Sequence, residues 1–157
     1  MPPVIDKRAR ILILGSFPST ASLAAQQYYA HPQNQFWRIL GEVIGQPFQE
    51  MDYPTRIAAV KASGIAIWDV FASCERAGSL DTAIRHATPN PLEELKESAS
   101  ALRRVCFNGR MAARRVREIE ALGFETVVLP STSAAHAGMS FAEKLVRWRE
   151  GLQTGIA

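Results

Sequence analysis

The segment Arg10–Ser22, RILILGSFPSTAS, joins a short aliphatic run to a small polar turn. After Arg10 the run RILIL is continuously apolar and does not alternate between apolar and polar residues. This pattern is typical of a parallel strand that is covered on both faces. Three later runs have the same character, so we predict four buried strands. They are Arg10–Leu14 (RILIL), Ile65–Trp68 (IAIW), Arg104–Phe107 (RVCF) and Thr126–Leu129 (TVVL).

Capping signals and amphipathic spacing predict helices between these strands. Two predicted helices have ranges with a glycine just beyond their ends: Tyr53–Ala62, capped by Asp52 and followed by Gly64, and Arg110–Leu122, followed by Gly123. Three more are predicted from their first residues. One is capped by Asn34, one begins at a capping box at Asn90–Glu93, and one runs from the capping box Ser140–Glu143 to about Leu152. The longest irregular stretch, Phe71–Pro89, is long enough to indicate a functional loop.

Strands alternating with helices predict a single domain over residues 1–157. Its class is a three-layer α/β/α fold with a central four-stranded parallel sheet. Ligands of such sheets bind at the carboxyl ends of the strands, where four small polar segments converge here. They are Gly15–Ser22, Asp69-Val70, Asn108-Gly109 and Pro130–Gly138. The aromatic loop YYAHPQN, which closely follows the first strand, is expected at the same edge.

Composition narrows the class of protein. The chain has 157 residues and is 47% hydrophobic, which suits one domain with a full core. No apolar run approaches the roughly 20 residues of a membrane span, and the N-terminus lacks the order of a signal peptide. Cys74 and Cys106 form no CxxC motif, and the three histidines are scattered. We therefore expect a reduced, cytoplasmic protein without zinc or an iron–sulfur cluster. We also predict a monomer that has no cofactor, no metal and no membrane partner.

The charge balance leaves two interpretations open. The net charge is +3 and the pI is about 9.1, but 14 of the 18 basic residues are arginines. The planar guanidinium suits phosphate oxygens, which indicates a nucleic-acid surface. A codon preference for arginine explains the same count.

The polar segments exclude some chemistries and permit others. GSFPS matches neither GxxxxGK[ST] nor GxGxxG, and the chain has no G-x-S-x-G elbow, so nucleotide-binding loops and serine hydrolases are not indicated. Pro130–Ser133 is either a phosphate site or an ordinary hydroxyl-rich turn. Asp69 is either a ligand contact or a strand-end cap. Tyr28 and Tyr29 could stack on a flat ligand, whereas Phe36 and Trp37 are expected in the helix core.

Three motifs together resemble the uracil-DNA glycosylase superfamily. They are Gly15-Ser16-Phe17-Pro18 after the first strand, the aromatic loop and helix start Tyr29–Trp37 (YAHPQNQFW), and Pro130-Ser131 after the last strand. The resemblance spans nearly the whole chain. GSFPS with YYAHPQNQFW looks most like the hypoxanthine-DNA glycosylase branch, also described as DNA-deoxyinosine glycosylase.

The resemblance implies a monofunctional DNA glycosylase of base-excision repair. Such an enzyme flips a deaminated base, chiefly hypoxanthine, out of DNA and hydrolyses its N-glycosidic bond with water. Its partner would be DNA that contains deaminated bases, and no cofactor would be needed. Two alternatives stay open, a mismatch-type uracil-DNA glycosylase and a non-catalytic α/β protein that binds a nucleobase or nucleotide.

Site roles follow from the same resemblance. Many superfamily members have Asp or Asn at the position of Phe17, and in the hypoxanthine branch the amide of the HPxN segment takes the catalytic role, which here is Asn34. The implied base-binding residues are Gly15, Ser16, Phe17, Tyr28, Tyr29, Asp69 and Asn108. The implied DNA-binding residues are Pro130, Ser131, Thr132, Ser133 and His136. His136 and Met139 are the candidates for a wedge that fills the gap in the duplex.

Overall fold

The computed structural model describes residues 1–75, 85–136 and 138–156. Within them, four parallel strands form the central sheet, and all four were predicted. In chain order they are β1 (Ile11–Gly15), β2 (Ile65–Asp69), β5 (Arg104–Asn108) and β6 (Glu125–Leu129). Their order across the sheet is β2-β1-β5-β6.

Three of these strands extend one residue beyond the predicted end, and each added residue matters for the site. Gly15 pairs with Asp69 across β1 and β2, and Asn108 pairs with Leu129 across β5 and β6. Because backbone pairing continues through these residues, the sheet holds Gly15, Asp69 and Asn108 at fixed positions along its carboxyl edge.

Helices cover both faces of the sheet, which confirms the three-layer class. They are α1 (Thr20–Ala25), α2 (Phe36–Ile44), α3 (Tyr53–Ala62), α4 (Leu95–Ser98), α5 (Val116–Ala121) and α6 (Phe141–Ile156). Helix α6 packs against α2. The right-handed rule for parallel connections places α5 on the opposite face, because the step from β5 to β6 runs against the step from β1 to β2.

Two predicted helix starts are confirmed. The Asp52 carboxylate accepts a hydrogen bond from the Thr55 N–H at 3.0 Å at the start of α3. The Ser140 hydroxyl accepts from the Glu143 N–H at 3.2 Å and donates to the Glu143 carboxylate. Helix α6 continues to Ile156 rather than ending near Leu152.

Three other helix predictions were wrong in detail. Helix α2 begins at Phe36, with Gln35 rather than Asn34 at its cap position. Pro91 introduces a 3-10 turn, Leu92–Glu94, and the Asn90 amide donates to the Asp69 carbonyl at 2.8 Å instead of capping a helix. The stretch predicted as Arg110–Leu122 is divided. Its first part is a 3-10 turn, Ala112–Arg115, followed by α5.

The stretch predicted as an irregular loop contains paired strands. Strands β3 (Phe71–Glu75) and β4 (Arg85–Pro89) form a separate antiparallel pair. The sequence RHATP of β4 has one proline and no apolar alternation, so its strand character depends on the partner rather than on its own pattern. The middle of the predicted loop, 76–84, lies outside the described residues.

An aromatic core supports the loop that precedes α2. Phe36 and Trp37 are buried, as predicted. The Phe36 ring meets the Trp37 ring at 5.0 Å and the Trp148 ring of α6 at 6.0 Å, both edge to face. The start of α2 is therefore anchored to α6. Among the described helices, none is long and apolar enough to cross a membrane.

Candidate active site

A cleft of about 710 Å³ opens at the carboxyl edge of the sheet. It lies between the turn after β1, the aromatic loop before α2, the ends of β2 and β5, and the loop after β6. Every residue that the sequence motifs assign to catalysis, base binding or DNA binding lines this cleft, and so does Met139. The roles of these residues stay predictions, but the fold brings all of them to one place.

The floor of the cleft is built around the bare Cα of Gly15. A Cβ atom at this position would lie 2.7 Å from Asp69 Oδ1 and 2.9 Å from the Tyr29 hydroxyl oxygen. Only glycine allows both polar atoms to approach so closely. Asp69 is 5% exposed, and the Asn90 amide fixes its backbone carbonyl. The Asp69 carboxylate therefore has a fixed position below the opening of the cleft.

Tyr29 is held at both ends of its side chain. One face of its ring stacks on Phe36, with centroids 3.8 Å apart and planes at 22°. Its hydroxyl accepts a hydrogen bond from the Asn108 amide at 3.2 Å. Its φ of 56° lies in the left-handed region, which is uncommon for a residue with a side chain. Any flat ligand that stacks on Tyr29 must use the ring face opposite to Phe36.

Asn108 joins three parts of the cleft. Its amide nitrogen donates to the Thr132 hydroxyl at 3.0 Å as well as to Tyr29, and its Oδ1 accepts from the Thr132 N–H at 3.0 Å. Both N–H groups of the amide are therefore engaged, and a direct contact of Asn108 with a base is left to its carbonyl oxygen. Thr132 is completely buried, so its side chain has no surface for a DNA contact and instead positions Asn108.

Asn34 stands at the junction of the aromatic loop and α2. The HPQN turn is closed by the Asn34 N–H, which donates to the His31 carbonyl at 3.0 Å, and by the Gln33 N–H, which donates to His31 Nδ1. Asn34 Oδ1 accepts from the Phe36 N–H at 3.0 Å, which fixes the orientation of the amide. Among the described residues, no hydrogen bond involves the Asn34 amide nitrogen, and the side chain lines the cleft.

Tyr28 is a wall rather than a contact surface. It is 3% exposed, and its hydroxyl donates to the Pro2 carbonyl at 2.7 Å. Its own carbonyl accepts from the Trp37 indole at 3.0 Å. Burial, reinforced by the charge of Asp69, raises the pKa of Tyr28 well above its ordinary value. The polar atoms of Tyr28 are therefore hydrogen-bonded within the protein, and the residue contributes only a wall of the cleft.

The loop after β6 is shaped by its own hydroxyls. The Ser131 hydroxyl accepts from the Ser133 N–H at 3.1 Å, and the Ser133 hydroxyl accepts from the Ala135 N–H at 3.2 Å. The Trp148 indole donates to the Pro130 carbonyl at 2.9 Å and anchors the loop to α6. Each serine still has its own hydroxyl proton to donate outward.

Lys144 is a supporting residue that the sequence analysis missed. It is 2% exposed, and its amine donates to Gln35 Oε1 at 3.3 Å, while the Gln35 N–H donates to the Thr132 carbonyl at 3.0 Å. These bonds tie α6 to the residue that follows Asn34. Lys144 lies three residues after Phe141 and four before Trp148, and this spacing places it on the apolar face of α6.

The buried amine should make stability depend on pH. Burial lowers the pKa of Lys144 in the folded protein, so the fold bears a cost for the charged amine at neutral pH. That cost disappears as pH rises from the lowered pKa toward 10.5, the ordinary value. We expect the free energy of unfolding of the parent to rise relative to that of Lys144→Met between pH 7 and pH 10. Urea unfolding of both proteins tests this, and a difference that does not change with pH would contradict it.

Comparisons with known proteins agree with this geometry. The family model described as the uracil DNA glycosylase superfamily matches residues 2–150. The chain is 40% identical over 152 residues to the hypoxanthine DNA glycosylase of Methanosarcina barkeri, covering 97% of this chain and 96% of that protein. It is 43% identical over 139 residues to the hypoxanthine DNA glycosylase of Methanosarcina acetivorans, covering 88% of each.

A solved structure extends the likeness to the fold. The solution NMR structure of a proposed uracil DNA glycosylase from Methanosarcina acetivorans superposes with a TM-score of 0.86 at 40% identity. The alignment covers 96% of this chain and 95% of that one. The motifs that surround the cleft, the family match over most of the chain and the shared fold lead to one conclusion. The chain belongs to the uracil DNA glycosylase superfamily.

Proposed function

We propose that this protein is a monofunctional DNA glycosylase that removes hypoxanthine from deoxyinosine in DNA. Relatives named hypoxanthine DNA glycosylase share about two fifths of its residues along nearly the whole chain. The observation that carries the proposal is the meeting of Asn34, Tyr29 and Asp69 in one cleft. An amide, an aromatic face and a carboxylate are what water positioning, base stacking and recognition of a purine N–H require.

The base must leave the duplex before it can react. Unstacking costs a few kcal/mol, and the cost is least for a mismatched base such as hypoxanthine. We expect the flipped base to stack on the face of the Tyr29 ring opposite to Phe36. The hydrogen bond from Asn108 fixes the position of the Tyr29 ring before the base binds. A ring that does not reorder on binding loses little conformational entropy, so stacking can offset part of the unstacking cost.

Hydrolysis then needs one water and no covalent intermediate. The water oxygen attacks C1′, the C1′–N9 bond breaks, and its electron pair leaves with the purine. The water loses a proton to solvent, the purine gains one, and an abasic sugar is left in the strand. An amide is too weak a base to take the proton, so Asn34 would act by positioning water. None of the four lysines, all of which lie in the described part of the chain, lines the cleft, so we expect no Schiff base and no strand cleavage.

Uracil is the second candidate substrate. The solved structure that matches this chain was proposed to be a uracil DNA glycosylase. The carboxylate of Asp69 could accept the N3–H of uracil as well as the N1–H of hypoxanthine. Release of free base from inosine-containing and uracil-containing oligonucleotides decides between the two. Release from neither, with binding of free nucleobase retained, would favour the non-catalytic alternative.

We further propose that Ser131 and Ser133 bind DNA phosphate. Their hydroxyls accept from the loop's own backbone and keep a proton to donate outward. Because phosphates carry no sequence information, Ser131→Ala and Ser133→Ala should weaken DNA binding about equally for inosine, uracil and undamaged duplexes. Fluorescence anisotropy on the three duplexes measures this, with the exposed and distant Ser98→Ala as control. A change in base preference would instead place the two serines in the base pocket.

A single chain supplies every residue of this proposed site, so the reaction needs no second subunit. We propose that the protein works as a monomer in the cytoplasm. Sedimentation at the concentration of the excision assay tests the oligomeric state. Activity that rises more steeply than the protein concentration would contradict a monomer.

A further inference from the structure

Three exposed arginines line the mouth of the cleft. Arg110 follows β5, Arg114 lies in the 3-10 turn that leads to α5, and Arg147 lies on α6. Because α5 and α6 cover opposite faces of the sheet, Arg110 and Arg114 reach the mouth from one wall and Arg147 reaches it from the other.

Among the described residues these three arginines have no carboxylate partner, in contrast to three other arginines that form ion pairs. Arg8 pairs with Asp6 at 2.7 Å, Arg104 pairs with Glu125 at 2.9 Å, and Arg115 pairs with Glu118. No ion pair is formed by Arg110, Arg114 or Arg147 within residues 1–75, 85–136 and 138–156. Arg115 adjoins Arg114 in the same turn, so of two neighbouring arginines one forms an ion pair and the other does not.

The charge of the mouth contrasts with that of the floor. Among the described residues that line the cleft, Asp69 is the only carboxylate, and it lies at the bottom. Guanidinium groups around one opening repel one another, and this cost is offset when a polyanion binds. Arginines on one wall would be enough to bind a single phosphate. Cations on both walls fit a chain of phosphates that passes over the opening.

We propose that Arg110 and Arg114 on one wall and Arg147 on the other bind the sugar–phosphate backbone on the two sides of the flipped nucleotide. This inference rests on the proposed glycosylase function. Charges on both sides of the opening hold the strand while the nucleotide between them turns inward. The arginines contribute affinity for any DNA sequence and leave the choice of base to the floor of the cleft.

Salt dependence of binding tests the inference without requiring excision. An undamaged duplex is titrated with each protein across a range of KCl concentrations, and the slope of log K against log[KCl] is measured. Replacing a phosphate-binding arginine by glutamine should reduce the slope by about one. We expect this for Arg114→Gln and Arg147→Gln, and about two for the double variant. Arg115→Gln, the matched control, should keep the parent slope, and Arg114→Lys should largely restore it.

The two-wall arrangement has its own readout. Phosphate-ethylation interference on a duplex containing a tetrahydrofuran abasic analogue shows which phosphates each variant ceases to need. Arg114→Gln and Arg147→Gln should lose interference on opposite sides of the abasic position. Loss of interference at the same phosphate in both variants would contradict the two-wall arrangement. If every arginine variant kept the salt slope of the parent protein, these arginines would not bind DNA phosphate at all.

The outcomes separate this inference from the proposed function. If the parent releases hypoxanthine but the arginine variants keep its slope, the arginine surface is wrong and the glycosylase function stands. If the parent releases no base but the slopes fall as expected, the protein is a DNA-binding protein with this surface and the proposed chemistry is wrong.

Discussion

Replacing Asn34 with serine is expected to reduce single-turnover release of hypoxanthine by about 10²-fold or more while the protein stays folded. The size follows from losing a positioned group that holds the attacking water. The resemblance places Phe17 where many superfamily members have a carboxylate or an amide, and its side chain cannot accept a conventional hydrogen bond from water. Asn34 Oδ1 accepts one bond, from the Phe36 N–H, and has a second lone pair that can accept from the attacking water. Its amide nitrogen, which can only donate, has no partner among the described residues, whereas both N–H groups of Asn108 are engaged.

Serine is the informative replacement because Asn34 also has a structural role. Its Oδ1 accepts the Phe36 N–H at the start of α2, and losing such a bond costs about 1 kcal/mol of stability. The serine hydroxyl can replace that acceptor for the Phe36 N–H, but its side chain is one bond shorter and has a single polar atom, so it cannot hold the water in the same position. Asn34→Ala removes both functions and should show the same kinetic loss with a lower Tm. Gln33→Ala, an exposed neighbour in the same turn, serves as the control.

Asn34→Asp separates positioning from base catalysis. A carboxylate keeps the acceptor for the Phe36 N–H and can take a proton from water, which the amide cannot. If Asn34 only positions water, the parent rate should be independent of pH around neutrality, and the aspartate variant should lose activity as the carboxylate is protonated at low pH. A folded Asn34→Ser protein with parent turnover would remove Asn34 from the chemical step.

Local patterns in the sequence were enough for the sheet and for the location of the site. Continuous aliphatic runs such as RILIL and IAIW predict buried parallel strands, and strand order then brings the polar residues after them to one edge. The loop motifs could therefore be placed together without knowing any contact. The strand β4 was missed because RHATP has no apolar alternation of its own and pairs only through its partner.

The connections inside the site could not be read from the sequence because they join distant residues. Asn108 binds Tyr29, which is 79 positions away, and Thr132, which is 24 positions away. Asn90 was interpreted as a helix cap because NPLE matches that pattern, but the Asp69 carbonyl competes for its amide. Asn and Asp side chains bond to whichever backbone group the fold presents, so a local capping motif does not determine their partner.

The second large effect is expected at Asp69, for which we propose the role of selecting the base. Its carboxylate lies on the floor of the cleft beside the bare Cα of Gly15 and close to the fixed Tyr29 hydroxyl. A carboxylate can accept the N1–H of hypoxanthine. It opposes adenine, whose N1 is itself an acceptor, and two acceptors face to face in a site with little water are strongly unfavourable. Discrimination of this kind can reach about 10⁴-fold, which matters because adenine vastly outnumbers hypoxanthine in DNA.

Asp69→Ala should reduce release of hypoxanthine by about 10- to 100-fold, which corresponds to losing one hydrogen bond to a charged group. Asp69→Asn should reduce it less, because the amide oxygen still accepts the N1–H. The amide can also turn its nitrogen toward the N1 of adenine, so the ratio of hypoxanthine to adenine release should narrow in this variant. Asp52→Asn, which retains the cap of α3 far from the cleft, is the control.

Free-base release from inosine, uracil and adenine oligonucleotides, measured for the parent and both variants, separates recognition from support. If Asp69 recognises the N–H, the alanine variant should lose activity on inosine and uracil together, because both bases present a donor to the carboxylate. Discrimination between these two bases would then come from the space beside Tyr29, whose ring is fixed by Phe36 and Asn108. Parent activity of Asp69→Ala on both substrates would reduce Asp69 to a strand-end residue, and the carbonyl of Asn108 or the backbone of Ser16 and Phe17 would have to read the base.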